Sequence, residues 1–478
     1  MCSGSEGAHF VMLAAEEGIR AAVRAASGQA PAASGQDLPD FELVQLFACE
    51  SHPGKRKFID RIVNSERRAR GDVLVCIFCD IRDMGKRTAL CHTHEKECQV
   101  PNVNVLLVST SCKDLSNLSA SGRGSDVPVL ALEHSPGGSA DTFRGGLLPY
   151  LDNHEVDHTI YENSDNVANE NGAASGQEQS NLDIFSAEVG ARHFEVQCFL
   201  LNSKLFGLPQ SRRRFWAVLT KTFSNMLDYS DRSIVDMFNT LRVLVELCQR
   251  KDCPAIDLFL PDSNQHVVSE LLHRCSAEHN LLDPNRDWFD AHQKVYSDLR
   301  LSWGVPPPCS ATAKSPWFDT LTPMQKSTLV LQQYRLLLSQ PKCKTASGQD
   351  SGASPRIPSL MINISPSISW KAPPVTDTSP CMVPNQIMWV NLPTPRLMLG
   401  REALLFQGWP SSLIVDDDVA SDRLLGDLAG NAVSLPVQLA MVLSTFHAVP
   451  WRIARTDMPS PSTNADVDEA LQLLSNII

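Results

Sequence analysis

The stretch Val103-Asn-Val-Leu-Leu-Val-Ser-Thr-Ser-Cys112 decides how the chain is read. Its apolar run, Val103 to Val108, has the length and character of a strand covered on both faces, and it runs into a thiol. Three other runs end in a polar group in the same way. Leu43-Val-Gln-Leu-Phe47 leads to Glu50, Val73-Leu-Val-Cys-Ile-Phe78 to Asp80, and Thr159-Ile-Tyr161 to Glu162. The intervals between them carry helical patterns, which suit parallel crossovers, so the expected fold is a doubly wound α/β sheet. In such sheets ligands sit outside the carboxyl ends of the strands, so two acids, a thiol and a third acid would converge on one crevice. Taken singly, a carboxylate after a strand commonly caps a helix or turn, and a cysteine is commonly an inert buried side chain. The shared position of all four points to chemistry.

A second signal is Phe206-Gly-Leu-Pro-Gln-Ser-Arg-Arg-Arg-Phe-Trp-Ala-Val-Leu219. Between Lys204 and Lys221 the bases are Lys204, Arg212, Arg213, Arg214 and Lys221, with no acid among them. Strand alternation after the Gly-Leu-Pro turn would put Arg212 and Arg214 on one face and Arg213 on the other. Two guanidinium forks could then point together at an anion. The whole chain carries 42 Lys and Arg against 54 Asp and Glu, a net charge of −12, which argues against polyanion affinity spread over the surface. Any nucleic-acid site must therefore be a local basic cleft such as this one.

The 478 residues amount to roughly three domain-lengths, and 43% hydrophobic with 20% charged residues is an ordinary globular composition. Composition shifts divide the chain into a catalytic α/β part over 1–220, a Pro-richer part over 221–390, a return segment over 391–448 and a polar tail over 449–478 with a short helix at Val467 to Ile477. Ala-Ser-Gly-Gln recurs at Ala26, Ala33, Ala174 and Ala346 without a constant period, which fits loop insertions and excludes a solenoid. Fourteen cysteines at irregular spacing suit free thiols in a reducing compartment. The start lacks a basic n-region, Glu16-Glu17 interrupts the apolar stretch, and no segment reaches about 18 uninterrupted apolar residues. A soluble intracellular protein without membrane contact is expected. The crowd of Cys76, Cys79, Cys91, His92, His94 and Cys98 has zinc-like character. However, Cys76 and Cys79 would point to different faces, so no metal is expected.

Together these segments resemble the cytosine-5 methyltransferase family, whose motifs can be followed in order over most of the chain. Cys2-Ser-Gly-Ser-Glu-Gly7 is similar to the glycine-rich cofactor loop, which would give Ser3, Gly4 and Gly7 contacts to the cofactor. Phe47-Ala-Cys-Glu50 resembles the segment whose acid holds the cofactor ribose, and Asp80-Ile81-Arg-Asp83 the segment that reads the adenine. Val105 to Ser116 resembles the segment of the nucleophilic cysteine, here Cys112, and Tyr161-Glu-Asn163 the segment of the base-protonating glutamate, here Glu162. Gly207-Leu-Pro-Gln-Ser-Arg-Arg-Arg214 is similar to the Gln-x-Arg-x-Arg pattern, which implies catalytic roles for Arg212 and Arg214 and substrate contacts for Gln210 and Arg213. Arg396 to Pro410 is similar to the segment closing the recognition domain, and Gly430-Asn-Ala-Val433 to the one returning to the cofactor through Asn431 and Val433.

The resemblance implies a Rossmann-like methyltransferase fold with an inserted smaller target-recognition domain. It implies S-adenosyl-L-methionine as cofactor, methylation of a flipped cytosine in DNA through a covalent cysteine adduct, and a nuclear location. RNA as substrate, or an inactive nucleic-acid-binding relative, are the alternatives. The chain departs from the family pattern at Glu6, where a second glycine is usual, at Ser111, where proline is usual, and at Ser164, where valine is usual. Asp165-Asn-Val167 offers an alternative register for the glutamate segment, and the Ser- and Gly-rich stretch Ser116 to Ser139 is a candidate lid.

Overall fold

The computed structural model of the protein describes residues 7–26, 42–115, 128–131, 137–168, 179–222, 233–250, 252, 260, 288–339, 361–365, 378–384, 386–391, 395–410 and 420–449. Ser3, Gly4, most of the Ser116 to Ser139 stretch and the helix expected at Val467 to Ile477 lie outside the described residues.

Two parallel strand pairs organise the first unit. β1 (Phe47–Cys49) lies beside β2 (Cys76–Phe78), and β5 (Val103–Ser109) beside β6 (Val156–Ser164). β2 continues into an antiparallel hairpin of β3 (Thr88–Cys91) and β4 (Lys96–Gln99), giving the order β1-β2-β3-β4. The second sheet has the order β5-β6-β8-β7, with β7 (Phe194–Asn202) and β8 (Arg213–Lys221) antiparallel to their neighbours. Every residue of β6 is buried, as expected of a strand covered on both faces.

Helix α1 (Gly7–Ala26) and helix α2 (Pro53–Arg70) flank these strands in sequence. α2 starts where the His52 side chain accepts from the Lys55 amide and Pro53 supplies a preset first-turn φ. It ends at Gly71, whose φ of 74° is the left-handed conformation that glycine adopts without a Cβ clash. Fully buried Asn64 then ties the helix to the sheet, accepting from Val75 N at 2.8 Å and donating to Val75 O at 3.1 Å. The core between elements is strongly aromatic, with Phe185 within 4.9 Å of Tyr161, 5.5 Å of Phe143 and 5.7 Å of Phe215.

The chain divides into two units. One comprises 1–207, 213–251 and 432–478, the other 208–212 and 252–431. The boundary expected near Thr220 thus lies further on. The helix Ile234–Leu247 buries Met237, Leu241, Leu244 and Val245 and packs on the helix Leu435–Ala448, which also packs on α1. The segment expected as a separate return, 391–448, is divided between the units after Asn431. Within the second unit a small antiparallel sheet, β9 (Met361–Asn363), β10 (Met388–Val390) and β11 (Arg396–Leu397), surrounds fully buried Trp389 together with Leu329 and Leu336 of the helix Pro323–Ser339. Among the described residues no single helix is long and apolar enough to cross a membrane.

Two strand expectations needed correction. Leu43 to Leu46 precede the strand, with Val44 54% and Leu46 45% exposed, and Val73, 85% exposed, lies outside β2. β1 and β2 pair over only three residues each, so the flanking apolar residues have no ladder partner to hold them.

Candidate active site

The carboxyl ends of β5 and β6 bring together the polar groups that matter most. The parallel register sets Ser109 opposite Glu162, and Ser109 Oγ donates to Glu162 Oε2 at 2.6 Å. From the other side of β6, Arg214 near the start of β8 places Nε 3.4 Å from Glu162 Oε1. Glu162 is only 8% exposed, so its carboxyl oxygens meet a hydroxyl and a guanidinium rather than bulk water. Ser109 is a member of this group that sequence reasoning missed, although its place three residues before Cys112 marks it as a strand-end residue.

The loop after β5 carries Cys112, which is exposed. It is held from two directions. Asn163 Nδ2 donates to Thr110 O at 3.2 Å, to Thr110 Oγ1 at 2.9 Å and to Tyr161 Oη at 2.9 Å, while Thr110 Oγ1 and Tyr161 Oη are 2.8 Å apart. On the far side the Ser111 amide donates to Thr142 Oγ1 at 2.9 Å, and the Asp114 carboxylate accepts from the Ser139 amide at 2.9 Å. Ser111 stands where a proline would fix the backbone, and here its amide is used as a donor, which proline lacks. Burial pushes the Tyr161 phenol well above its ordinary pKa, keeping it a neutral hydrogen-bonding post. Asn163 and Tyr161 therefore position the loop that carries Cys112, an arrangement visible only once β6 is placed beside β5.

The basic segment departs from its expected arrangement. The strand begins at Arg213, and Arg212 belongs to the second unit. There its guanidinium, 4% exposed, donates to Met382 O at 2.7 Å and Gly430 O at 3.2 Å and contacts Cys381 Sγ at 3.5 Å. Arg212 and Arg214 are thus not a matched pair of forks: Arg214 serves Glu162, and Arg212 clamps backbone carbonyls. Gln210, expected to touch substrate, is fully buried in the second unit, donating to Phe406 O at 3.4 Å and accepting from Gln407 Nε2 at 3.4 Å. Arg213 is exposed. In the segment Arg396 to Pro410, Arg396 and Glu402 form a buried two-pronged ion pair at 2.7 and 2.8 Å.

At the β1 and β2 ends, Glu50 and Asp80 occupy neighbouring positions, because the Glu50 amide continues the parallel ladder to Phe78 O at 3.0 Å. Glu50 is 8% exposed and accepts from the His52 amide at 2.8 Å, a nearly buried carboxylate of the kind that can hold a diol. Asp80 has a different occupation. Both its oxygens accept from Arg82, at 2.6 to 3.1 Å, and it caps the following turn through the Arg82 amide. The Arg82 hydrogen bonds hold the Asp80 carboxyl below the usual carboxylate range. Ile81 is a core residue packed on Gly146, where a Cβ would come 2.7 Å from Ile81 Cγ1. Gly7 opens α1 and is buried. Asn431 ends the helix Asp422–Asn431 with its amide on Asp427 O at 2.9 Å, and Val433 is half-buried. The Glu50 carboxylate fits the ribose of an adenosyl cofactor, whereas the adenine contact expected of the Asp80 side chain competes with Arg82.

The cysteine crowd also differs from expectation. Cys76 groups with Cys91, His94 and Cys98, and Cys79 stands outside that group.

Fold and site together define a two-unit mixed α/β protein with a thiol, an acid and an arginine near adjoining strand ends. No family model matches the chain. In sequence it is similar to the DNA (cytosine-5-)-methyltransferase DMT5 of Cryptococcus neoformans var. grubii, at 26% identity over 474 residues, covering 96% of this chain and 17% of that relative. Among solved structures it is similar to the S. pombe Dnmt2 methyltransferase, with a TM-score of 0.37 and 13% identity over 89% of this chain and 93% of that one. It is also similar to the Entamoeba histolytica methyltransferase EhMeth, with a TM-score of 0.37 and 12% identity over 84% and 89%. The sequence likeness shows that the resemblance to cytosine-5 methyltransferases runs along nearly the whole chain rather than through isolated motifs.

Proposed function

We propose that the protein is an S-adenosyl-L-methionine-dependent cytosine-5 methyltransferase that acts on DNA. The observation that carries this reading is the meeting of Ser109, Glu162 and Arg214 beside the loop that bears exposed Cys112.

Carbon 5 of cytosine is a weak nucleophile until a group adds at carbon 6. Cys112 Sγ would form that bond, and the electron pair of the ring's 5,6 double bond would move toward carbon 5. Glu162 would hydrogen-bond ring nitrogen 3 and supply it a proton as the sulfur adds. Arg214 would orient Glu162 and, beside it, stabilise charge that develops on the base oxygen. When bound, the cofactor supplies an electrophilic methyl group on a sulfonium. Glu50 would accept from its ribose hydroxyls. Once carbon 5 carries the methyl group, loss of the carbon 5 proton to solvent, return of the nitrogen 3 proton to Glu162 and departure of Cys112 Sγ with the electron pair of the sulfur–carbon bond would restore the aromatic ring, the carboxyl group and the thiolate.

The ring cannot be reached inside a duplex, so the base would be flipped out at a cost of a few kcal/mol. The nucleus, where chromosomal DNA resides, is the corresponding location. The test is transfer of a labelled methyl group to unmethylated and hemimethylated duplex DNA, compared with a structured RNA. Labelled 5-methylcytosine in DNA, abolished in Cys112→Ser, is the expected result; label confined to RNA would overturn the DNA assignment.

A further inference from the structure

We propose that Cys76, Cys91, His94 and Cys98 hold one structural Zn²⁺ ion, with His94 coordinating through Nδ1. The ligand atoms of the four residues all lie within 4.8 Å of one another. His94 Nδ1 stands 3.5 Å from Cys76 Sγ, 3.4 Å from Cys91 Sγ and 3.5 Å from Cys98 Sγ. Hydrogen bonding does not account for this, because an imidazole nitrogen has either one lone pair or one hydrogen and cannot serve three sulfurs. A tetrahedral ion does. With Zn–S bonds of about 2.3 Å and a Zn–N bond of about 2.0–2.1 Å, sulfur and nitrogen ligands fall about 3.5–3.6 Å apart.

The backbone explains how the four meet. Cys91 pairs with Phe78 on β2 and with Lys96 on β4, while Cys98 pairs with Ala89 on β3. Cross-strand partners share a face and alternate residues repeat it, so Cys76, two before Phe78, lies on the same face as Cys91 and Cys98. His94 sits in the turn between β3 and β4, where Glu95 takes a φ of 53°. Cys79 is out of phase with Cys76, which is why the Cys-x-x-Cys spacing misleads: the sequence signal is Cys91-x-x-His94-x-x-x-Cys98 joined to Cys76 on the preceding strand.

Three thiolates and an imidazole select zinc among abundant divalent metals, and four protein ligands leave no open position for substrate. The ion's work is mechanical. β3 and β4 have four residues each, β4 is mostly exposed, and a hairpin of that size is marginal by itself. Coordination ties it to β2. Through Cys79 N to Leu90 O at 3.2 Å it also steadies the backbone immediately before Asp80. This inference stands independently of the methyltransferase proposal.

The test uses the full chain purified under reducing conditions. Elemental analysis should find about one zinc per chain, and the cobalt-exchanged protein should show tetrahedral d–d bands with thiolate-to-metal charge transfer. Cys79→Ser should keep the metal and Cys91→Ser should lose it. Because Cys91→Ser could fail to fold, Cys98→His provides the second arm. It should retain the ion while the charge-transfer intensity of its cobalt form drops by about one third, as three thiolates become two. Zinc-free wild-type protein, a disulfide among these cysteines in reduced protein, or an unchanged cobalt spectrum in Cys98→His would overturn the assignment.

Discussion

Glu402→Gln should strip stability from the second unit to a degree that an exposed acid never could. Glu402 is 0% and Arg396 2% exposed, and the carboxylate takes both prongs of the guanidinium at 2.7 and 2.8 Å while also accepting from the Leu399 amide at 2.8 Å. The amide substitution keeps the shape and the Leu399 contact but leaves the arginine charge buried without its counter-ion. Removing one partner of such a pair costs about 3–5 kcal/mol. For a unit of this size each kcal/mol lowers Tm by about 2–4 °C, so the unit should melt about 6–20 °C lower. Arg396→Met combined with Glu402→Leu removes both charges and should lose less than Glu402→Gln alone, because desolvation of the pair opposes much of its attraction. Calorimetry of the intact variants measures both. A loss below about 1 kcal/mol for Glu402→Gln would refute the reasoning, since that is the scale of a solvated surface pair.

Three further outcomes are expected. Arg214→Ala should lower kcat on the order of 10²–10³-fold with the melting temperature nearly kept, whereas Arg212→Ala should lower the melting temperature of the second unit through loss of its bonds to Met382 O and Gly430 O; steady-state kinetics and melting curves separate the two. Asn163→Ala leaves Thr110 and Tyr161 without their shared donor, and should cost about 1–3 kcal/mol and speed hydrogen exchange of the 110–115 amides. Burial, with the charge of Arg335 adding to it, lowers His292 to about 4. Its imidazole takes up a proton more readily in the unfolded chain, so the stability from keeping it neutral is complete above an ordinary pKa of about 6.5 and is lost as pH falls through about 4. Melting temperature should therefore fall over that window, and less steeply in His292→Gln.

Much of the first unit was legible because its signals are local. The run Val103 to Val108 became β5, and a polar residue does stand at or just beyond the end of each parallel strand. The strand containing Thr159 to Tyr161 proved longer, Val156 to Ser164, because Asp157 and His158 before the run and Asn163 and Ser164 after it are polar residues buried within the strand. What local pattern could not convey was partnership across the chain. Arg212 finds its carbonyls at Met382 and Gly430, and Glu402 its arginine across a turn. The alternation that placed Arg212 beside Arg214 assumed a strand running straight on from the Gly-Leu-Pro turn, whereas Gln210 makes an isolated bridge with Ser379 and the strand begins at Arg213. Asp80 took the turn-capping role open to any acid after a strand, and Arg82, two residues on, completed it. Cys79 drew attention through spacing alone, while register across three strands chose Cys91, His94 and Cys98.

The central claim is that Cys112 attacks the base. Duplex DNA carrying 5-fluorocytosine at the methylation site measures this directly, since fluorine cannot leave carbon 5 as a proton would and the sulfur–carbon bond is trapped. With cofactor present, a denaturant-stable protein–DNA adduct should form whose peptide map places the bond at Cys112, and none should form in Cys112→Ser. An adduct of equal yield in Cys112→Ser, or one mapped to another cysteine, would contradict the claim.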